Sequence, residues 1–501
     1  MVLLAGVAGC VHPMVLTDEK IYGDLAARYA EYHHAAGDPD PARDADLVRP
    51  RLGLPVLARA TDGFPVEWLE RGGPMAARAL LVRHELTAVA AARCLERALV
   101  EKKPAPAQLP AELPAQLPAE LPAQLPDGCV ELSLDGLWRD PIAGSDVSRV
   151  HAAAHPIGSA PAGSYDLLFA SDHDATFRAS RAVWIQLRDP VAPRPLRIAL
   201  LSDPHIGKRV AHLEENFATV IAEINRIAPD LVLISGDITN LGQDASLGPR
   251  AAAFVERFEV PVLVVIGNHD HGFGTRAIFT QEHGTGYFHF ARAFHPLLFY
   301  RATIGGWDFV GFDSGPSQAS PTVNNRGLAP ETLARVAEAL AAARDNMRRG
   351  VVLLSHCTSR ASLSGRGSPS YAGAFGRMAD GGEELERLEL AGADAGLRVL
   401  HLGGHTHWSD LFEAHRTAGK WEYRLIPRAP LDGPRRLDTP AAIVTVQSAT
   451  HAGLFVKESA RGFGYALLDL EADKMELQYV RHLDGPPEPA PGDPFVTGSD
   501  R

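Results

Sequence analysis

Apolar residues recur at helical spacing early in the chain, at Ile21, Tyr22, Leu25, Tyr29 and Tyr32, and the pattern stops at the 37–41 stretch. This predicts a packing helix inside a helical N-terminal segment, 11–49. Between Gly53 and Leu187 the pattern changes to short segments rich in Val, Leu and Trp, at 55–60, 66–70, 79–83, 165–170 and 183–187, separated by turn residues. Such spacing predicts a small β-sandwich over 50–188, although 87–103 reads as helix and does not fit it.

Within that region 107–126 is five tandem copies of Ala-Gln/Glu-Leu-Pro, with proline at 110, 114, 118, 122 and 126. Proline at every fourth position removes amide donors and blocks a continuous helix, so 104–126 is expected to be an extended surface insert. The proline-rich stretch 189–195 is read as a linker, because the pattern changes sharply after it. From Leu196 a buried-looking run, 196–201, is followed by a helical face of Leu213, Phe217, Val220, Ile221, Ile224 and Ile227. A second run, 231–234, completes a βαβ unit. Further runs at 260–266, 309–312, 351–354 and 399–402, with a helix at 330–347, predict an α/β domain over 196–484 whose strands are buried on both faces. The runs 443–446 and 465–470 look like closing strands, and 485–501 reads as a disordered tail.

Composition narrows the class. The 501 residues are 46% hydrophobic and 22% charged, which excludes a wholly disordered, collagen-like or coiled-coil chain. A net charge of −12 gives no general surface for nucleic acid, so an anionic substrate must be held locally, by metal ions or a few arginines. No uninterrupted apolar run reaches the ~20 residues of a transmembrane helix. The four cysteines, Cys10, Cys94, Cys129 and Cys357, lack the paired spacing of a structural zinc site. The sequence Val7-Ala8-Gly9-Cys10 resembles a lipobox, which would make 1–10 a truncated lipoprotein signal and Cys10 a lipid attachment point at a membrane. No Lys or Arg precedes Lys20, however, and a secretory signal has a basic start. The expectation is a cell-envelope lipoprotein if the start lies upstream of Met1, and a cytoplasmic protein otherwise. If the chain is exported, Cys94 and Cys129, flanking the insert, are the natural disulfide pair.

Five of the buried runs end in residues able to bind metal: Asp203-Pro-His205, Gly236-Asp237, Gly267-Asn268-His269-Asp270, His356, and Gly404-His405-Thr-His407. Each alone is weak in a chain with 21 histidines. Together they place potential ligands directly after strands, where the carboxyl ends of an open α/β sheet line a crevice. Residues two apart on an extended segment point the same way, so Asp203 with His205, and His405 with His407, can reach one cluster.

The ordered set D-x-H, G-D, G-N-H-D, H, G-H-x-H resembles the calcineurin-like metallophosphoesterase family over about 196–482. The resemblance implies a four-layer α/β/β/α sandwich and two divalent or trivalent metal ions. Asp203, His205, Asp237 and His407 would hold one, and Asp237, Asn268, His356 and His405 the other, with Asp237 bridging. Oxygen and imidazole donors without thiolate suit Mn, Fe, Zn or Co. Two such cations acidify a bridging water and stabilise an in-line displacement at phosphorus. His269 matches the family histidine that protonates the leaving oxygen, and Asp270 is the nearest carboxylate in sequence that could orient it. Asn240 stands where purple acid phosphatases have tyrosine and protein Ser/Thr phosphatases have aspartate, which sets the chain apart from both, while G-N-H-D and G-G-H-T-H look most like the broad bacterial phosphodiesterase-type branch.

The implied function is hydrolysis of a small-molecule or polymer phosphoester, a diester before a monoester. A phosphomonoesterase and a catalytically silent envelope binding protein on the same scaffold stay open. The H-x-H-x-D-H run of metallo-β-lactamase-like hydrolases is absent. His271, His283, His289 and His295 read as solvated loop histidines, His401 as a core residue and Cys357 as a small packed one. The Ser- and Gly-rich stretch 359–382, with Arg360, Arg366 and Arg377, reads as a mobile rim.

Overall fold

The structure is a computed structural model that describes residues 45–71, 77–86, 128–141, 147–170, 176–208, 213–271, 285–314, 327–359, 378, 380–405, 411–425, 435–437, 443–447, 464–471 and 474–481. The helix expected around 19–32, the Ala-Gln/Glu-Leu-Pro insert, Cys10, Cys94 and the tail lie outside them. Two units divide between Pro190 and Val191: the described residues of the first run from 45 to 190 and those of the second from 191 to 481. Among the described residues no helix is long and apolar enough to cross a membrane.

The first unit is built of eight strands: β1 Ala45–Arg49, β2 Val56–Arg59, β3 Phe64–Arg71, β4 Arg78–Arg83, β5 Cys129–Pro141, β6 Val147–Pro156, β7 Gly163–Ala170 and β8 Thr176–Gln186. Two features differ from the sequence reading. Residues 45–49, placed in a helical segment, pair antiparallel with β3 and bury Leu47 and Val48. The expected two-sheet sandwich is also one continuous hydrogen-bonded sheet, ordered β1-β3-β6-β5-β4-β7-β8-β2. Near its two edges β1 touches β8 and β2 touches β3, so the sheet curls around its main core, while Leu80, Val82, Cys129 and Leu168 form a smaller apolar cluster. Phe64, Val66 and Trp68 alternate into that core, with the Trp68 ring 5.0 Å from that of Phe169. On the other face Glu67 is buried under Arg49, Arg149 and His151. Burial alone would raise its pKa, but these neighbours outweigh it and hold the carboxyl below the usual range. Cys129, at the start of β5, is disulfide-bonded.

In the second unit β9 Leu196–Leu201, β10 Leu231–Ile234 and β11 Val262–Val264 run parallel, with helix α1 Leu213–Ile227 crossing from β9 to β10. Glu214 and Glu215 in the first turn of α1 and Arg226 in the last suit the helix dipole, and Phe217, Val220, Ile221 and Ile224 form its buried face. Three antiparallel strands, β18 Arg435–Leu437, β20 Gly464–Leu470 and β21 Met475–Arg481, complete a six-stranded sheet ordered β11-β10-β9-β20-β21-β18.

The second sheet has seven strands in the order β12-β13-β14-β15-β19-β16-β17. Its parallel centre is β13 Trp307–Phe312, β14 Gly350–Leu354, β15 Arg398–Gly403 and β19 Ile443–Gln447. Antiparallel edges are added by β12 Phe299–Ile304 and by β16 Leu411–Thr417 with β17 Lys420–Leu425. The helices α2 Leu247–Val255 and α3 Thr285–Ala293 pack on each other, while α4 Pro330–Asp345 and α5 Gly382–Asp394 lie on the seven-stranded sheet. The two sheets meet: Tyr300 on β12 donates its hydroxyl to the Val264 carbonyl on β11, at 3.0 Å.

Trp68 gives a measurable anchor for the first unit. It is 0% exposed and its indole donates to Glu70 at 3.0 Å. Trp68→Ala is expected to destabilise that unit by about 3–5 kcal/mol, the usual cost of emptying so large a core site. Urea unfolding followed by circular dichroism measures it, and a loss below ~1 kcal/mol would show that the sheet does not depend on this contact.

Candidate metal centre

Every chemical group of interest follows the carboxyl end of a strand. Asp203 and His205 follow β9, Asp237 follows β10, and Asn268, His269 and Asp270 follow β11. His356 and His405 follow β14 and β15 of the other sheet. The turns that deliver them are unusually tight. Asp203 (φ 57°), His205 (φ 47°), Asp237 (φ 52°) and His405 (φ 68°) are four of the eight non-glycine residues with positive φ among the described residues. Side chains disfavour this region at a cost of about 1–3 kcal/mol each, and such strain concentrates at functional sites. Cross-bonds between turns hold it: Asp203 N–H donates to the Gly236 carbonyl (3.1 Å), and His205 N–H to that of Asp237 (3.0 Å).

Two glycines allow the turns to touch. A Cβ on Gly267 would lie 2.2 Å from both the Asp237 nitrogen and Asp237 Oδ1. One on Gly404 would lie 1.6 Å from Ser202 Oγ and 2.4 Å from Asp203 Oδ2. Real Cβ atoms do not approach so closely, so backbone packing at these two points depends on the missing side chain.

Asp237 is the centre of the cluster. Its Oδ2 lies 3.3 Å from His356 Nε2, 3.7 Å from His205 Nε2 and 4.0 Å from His269 Nε2. Its Oδ1 accepts the His269 amide at 2.8 Å. Two groups of donor atoms share it: His205, Asp237 and His269, and Asp237, His356 and His405, each with atoms within 4.8 Å of one another. Asp203 Oδ1 is 3.9 Å from the Nε2 atoms of both His205 and His356. Asn268 Oδ1 is 3.0 Å from His356 Nε2 and 2.9 Å from His405 Nδ1. Seven of the predicted residues, Asp203, His205, Asp237, Asn268, His269, His356 and His405, thus come together. His407 and His283 lie outside the described residues.

The donor set fits a cation. His356 Nδ1 donates to the Ser235 carbonyl at 2.7 Å, which directs Nε2 at the oxygens of Asn268 and Asp237. That nitrogen and the Asp237 oxygen both present lone pairs, and a proton or a metal ion between them reconciles the contact. Burial opposes a charged His356, yet the Asp237 charge and hydrogen bond outweigh it and push its pKa up to about 9. Burial likewise opposes an ionised Asp237, and the neighbouring His356 and His269 reverse that, holding the carboxyl far below its ordinary range. Carboxylate, amide and imidazole donors without thiolate suit Mn, Fe, Zn or Co.

Asp270 does not orient His269. It accepts from the amides of Ile238 (3.2 Å), Thr239 (2.7 Å) and Gly267 (3.0 Å) and from the Thr239 hydroxyl (2.9 Å), so it ties the two loops together. Burial and then the Asp237 charge push its pKa up to about 6. His269 Nδ1 instead pairs with the Asn240 backbone carbonyl at 2.8 Å. A main-chain oxygen carries no signature in a sequence, and neither do the Ser235 carbonyl behind His356 and the Ser202 hydroxyl that donates to Asp203 Oδ2.

The loop histidines also differ from expectation. His271 is buried and paired with Asp313 at 3.0 Å, His289 is buried on α3, and His295 is buried with Nε2 3.2 Å from the Val264 carbonyl. Cys357 is buried and not in a disulfide. The arginines at 360, 366 and 377 lie outside the described residues.

Residues 196–409 match the family model described as calcineurin-like phosphoesterase. The chain is 35% identical over 71 residues to a probable cyclic nucleotide phosphodiesterase of Synechococcus, covering 14% of this chain and 28% of that protein. It thus spans little more than a quarter of the length of that curated relative. A purple acid phosphatase from yellow lupin (Lupinus luteus) is similar at 13% identity with a TM-score of 0.46, over 85% of this chain and 71% of the other. A dimetal phosphatase from Danio rerio is similar at 13% identity with a TM-score of 0.38, over 59% and 98%.

Replacing the shared carboxylate tests the cluster. Asp237→Asn keeps the size of the side chain but removes the charge that both groups of donors use. It is expected to weaken metal binding beyond the ~10–100-fold typical of losing an outer partner. Elemental analysis of the purified variant measures this, and a full wild-type metal complement would refute the shared role.

Proposed function

From the premise that residues 196–409 form a calcineurin-like phosphoesterase domain, we propose that the chain is a metal-dependent hydrolase of a phosphoester, a diester in preference to a monoester. The observation that carries this reading is Asp237 shared between two donor groups, one of which includes the partly exposed His269. The printed activity of the Synechococcus relative, cyclic nucleotide phosphodiesterase, supports the diester preference.

Asp203, His205 and Asp237, with His407, would hold one ion, and Asp237, Asn268, His356 and His405 the other. Two bound cations supply positive charge for phosphate oxygens and acidify water. The protein's own part is orientation and proton delivery. His356 is fixed by Ser235, and Asp203 is fixed by Ser202 and by the His405 amide at 3.0 Å. His269 is 27% exposed, whereas the His205 and His356 side chains are fully buried. With Nδ1–H held by the Asn240 carbonyl, a protonated His269 presents Nε2–H to a leaving oxygen. After giving up that proton it remains the neutral Nδ1–H tautomer, still held by Asn240. The carboxylate of Asp237, 4.0 Å from Nε2, complements the ring before transfer.

His269→Ala is expected to retain its metals. Loss of rate should be modest for an ester with an acidic nitrophenol leaving group and up to ~10²–10⁴-fold for an alkyl or ribose alcohol, which needs the proton. Equal losses on both substrates, at unchanged metal content, would assign His269 to phosphate positioning instead.

We also propose that the chain works in an oxidising compartment, with Cys10 lipidated at the cell envelope. The disulfide at Cys129 supports this, since such bonds persist outside the reducing cytosol. Non-reducing peptide mapping of native protein is expected to find Cys129 linked to Cys94, and a free Cys129 would refute export.

A further inference from the structure

The turn that carries His356 is held from behind by buried polar side chains outside the donor cluster. Glu389 on α5 and His401 on β15 are both 0% exposed, with Oε1 and Nδ1 2.6 Å apart. His401 Nε2 lies 2.8 Å from Ser355 Oγ, and Ser355 donates its hydroxyl to the Cys357 carbonyl at 2.6 Å. Ser359 donates its hydroxyl to the Glu389 carboxylate, at 3.0 and 2.9 Å from its two oxygens. The chain of bonds grips both ends of the turn 355–359, and His356 sits inside it.

Ser355 has one hydroxyl hydrogen, and the short contact with a carbonyl oxygen uses it. The contact between Ser355 and His401 then needs a hydrogen on Nε2. The contact between His401 and Glu389 needs another, on Nδ1 or on the carboxyl group. The Glu389–His401 pair therefore holds two protons and no net charge, and it sets the direction of the Ser355 hydroxyl. Replacing a buried ionic pair by well-packed apolar residues is often neutral for stability, so a pair of this kind points to a role in specifying local geometry.

We propose that Glu389 is a positioning residue: through His401 it aims the Ser355 hydroxyl at Cys357, clamps the turn 355–359, and so points His356 at Asn268 and Asp237. Its consequence for metal binding rests on the reading of the site given above. Partners one step behind a metal ligand typically matter ~10–100-fold in affinity.

Glu389→Gln isolates the device. The carboxamide keeps the shape and can bond both His401 Nδ1 and Ser359, but it is neutral. The short, charge-assisted contact with His401 is lost, and the turn behind it is held less firmly. Mn²⁺ binding by equilibrium dialysis is expected to weaken ~10-fold in a folded variant, and amide hydrogen exchange over 355–359 to quicken. Ser355→Ala should do the same, and the double variant should be no worse than Ser355→Ala alone, because both act through one bond. Wild-type affinity and exchange in Glu389→Gln, or losses that multiply in the double variant, would overturn the proposal. Should Glu389→Gln not fold, Ser355→Ala carries the same two readouts. A wild-type chain that binds no Mn²⁺ sinks the metal reading by itself, since exchange in the turn reports the clamp without metal.

Discussion

A carboxylate buried as deeply as Asp237 is tolerated only among compensating charges and donors, and the second unit is arranged around meeting that demand. The imidazoles that answer it come from both sheets: His205 and His269 from loops of the six-stranded one, His356 and His405 from the seven-stranded one. Bringing them within reach fixes the parallel centres of the sheets, since only parallel neighbours deliver successive carboxyl ends to one side. It also explains why left-handed backbone falls on the ligand-bearing residues themselves. Strain of a few kcal/mol is small beside the penalty of a buried unpaired charge.

What the sequence made legible follows from which interactions leave a periodic or chemical trace. The runs that became β9, β10, β14 and β15 are apolar on both faces and end in ligand residues, so strand and site were readable together. Strands β5 and β6 were not: β5 leaves Leu137 and Trp138 exposed, and its alternation blurs where its register shifts against β6 between Asp135 and Trp138. Asp270 stands next to His269 in sequence yet bonds the Thr239 amide, because nearness in sequence is a poor guide when backbone groups compete. Asn240 contributes to His269 through its main chain, which every residue possesses. Of the histidines at 271, 289 and 295, only His289 lies in α3, which is short and rich in aromatic residues, a pattern that reads equally as loop.

The first unit solves a different problem. Glu67, on the face away from the core, is nonetheless buried, because long arginine side chains from β1 and β6 lie over it. These cationic side chains cover that part of the outward face and keep the Glu67 carboxylate paired.

The amide of His405 bonds a carboxylate 202 residues earlier, on Asp203. At ~5–20 residues per second of synthesis, Asp203, His205, Asp237 and Asn268 emerge roughly 7–40 s before the strand that brings His405. Through that interval the nascent chain holds a polar site that still lacks the residues following β15. Completion of the centre is therefore a late event in the life of each molecule, set by the order of translation as much as by affinity.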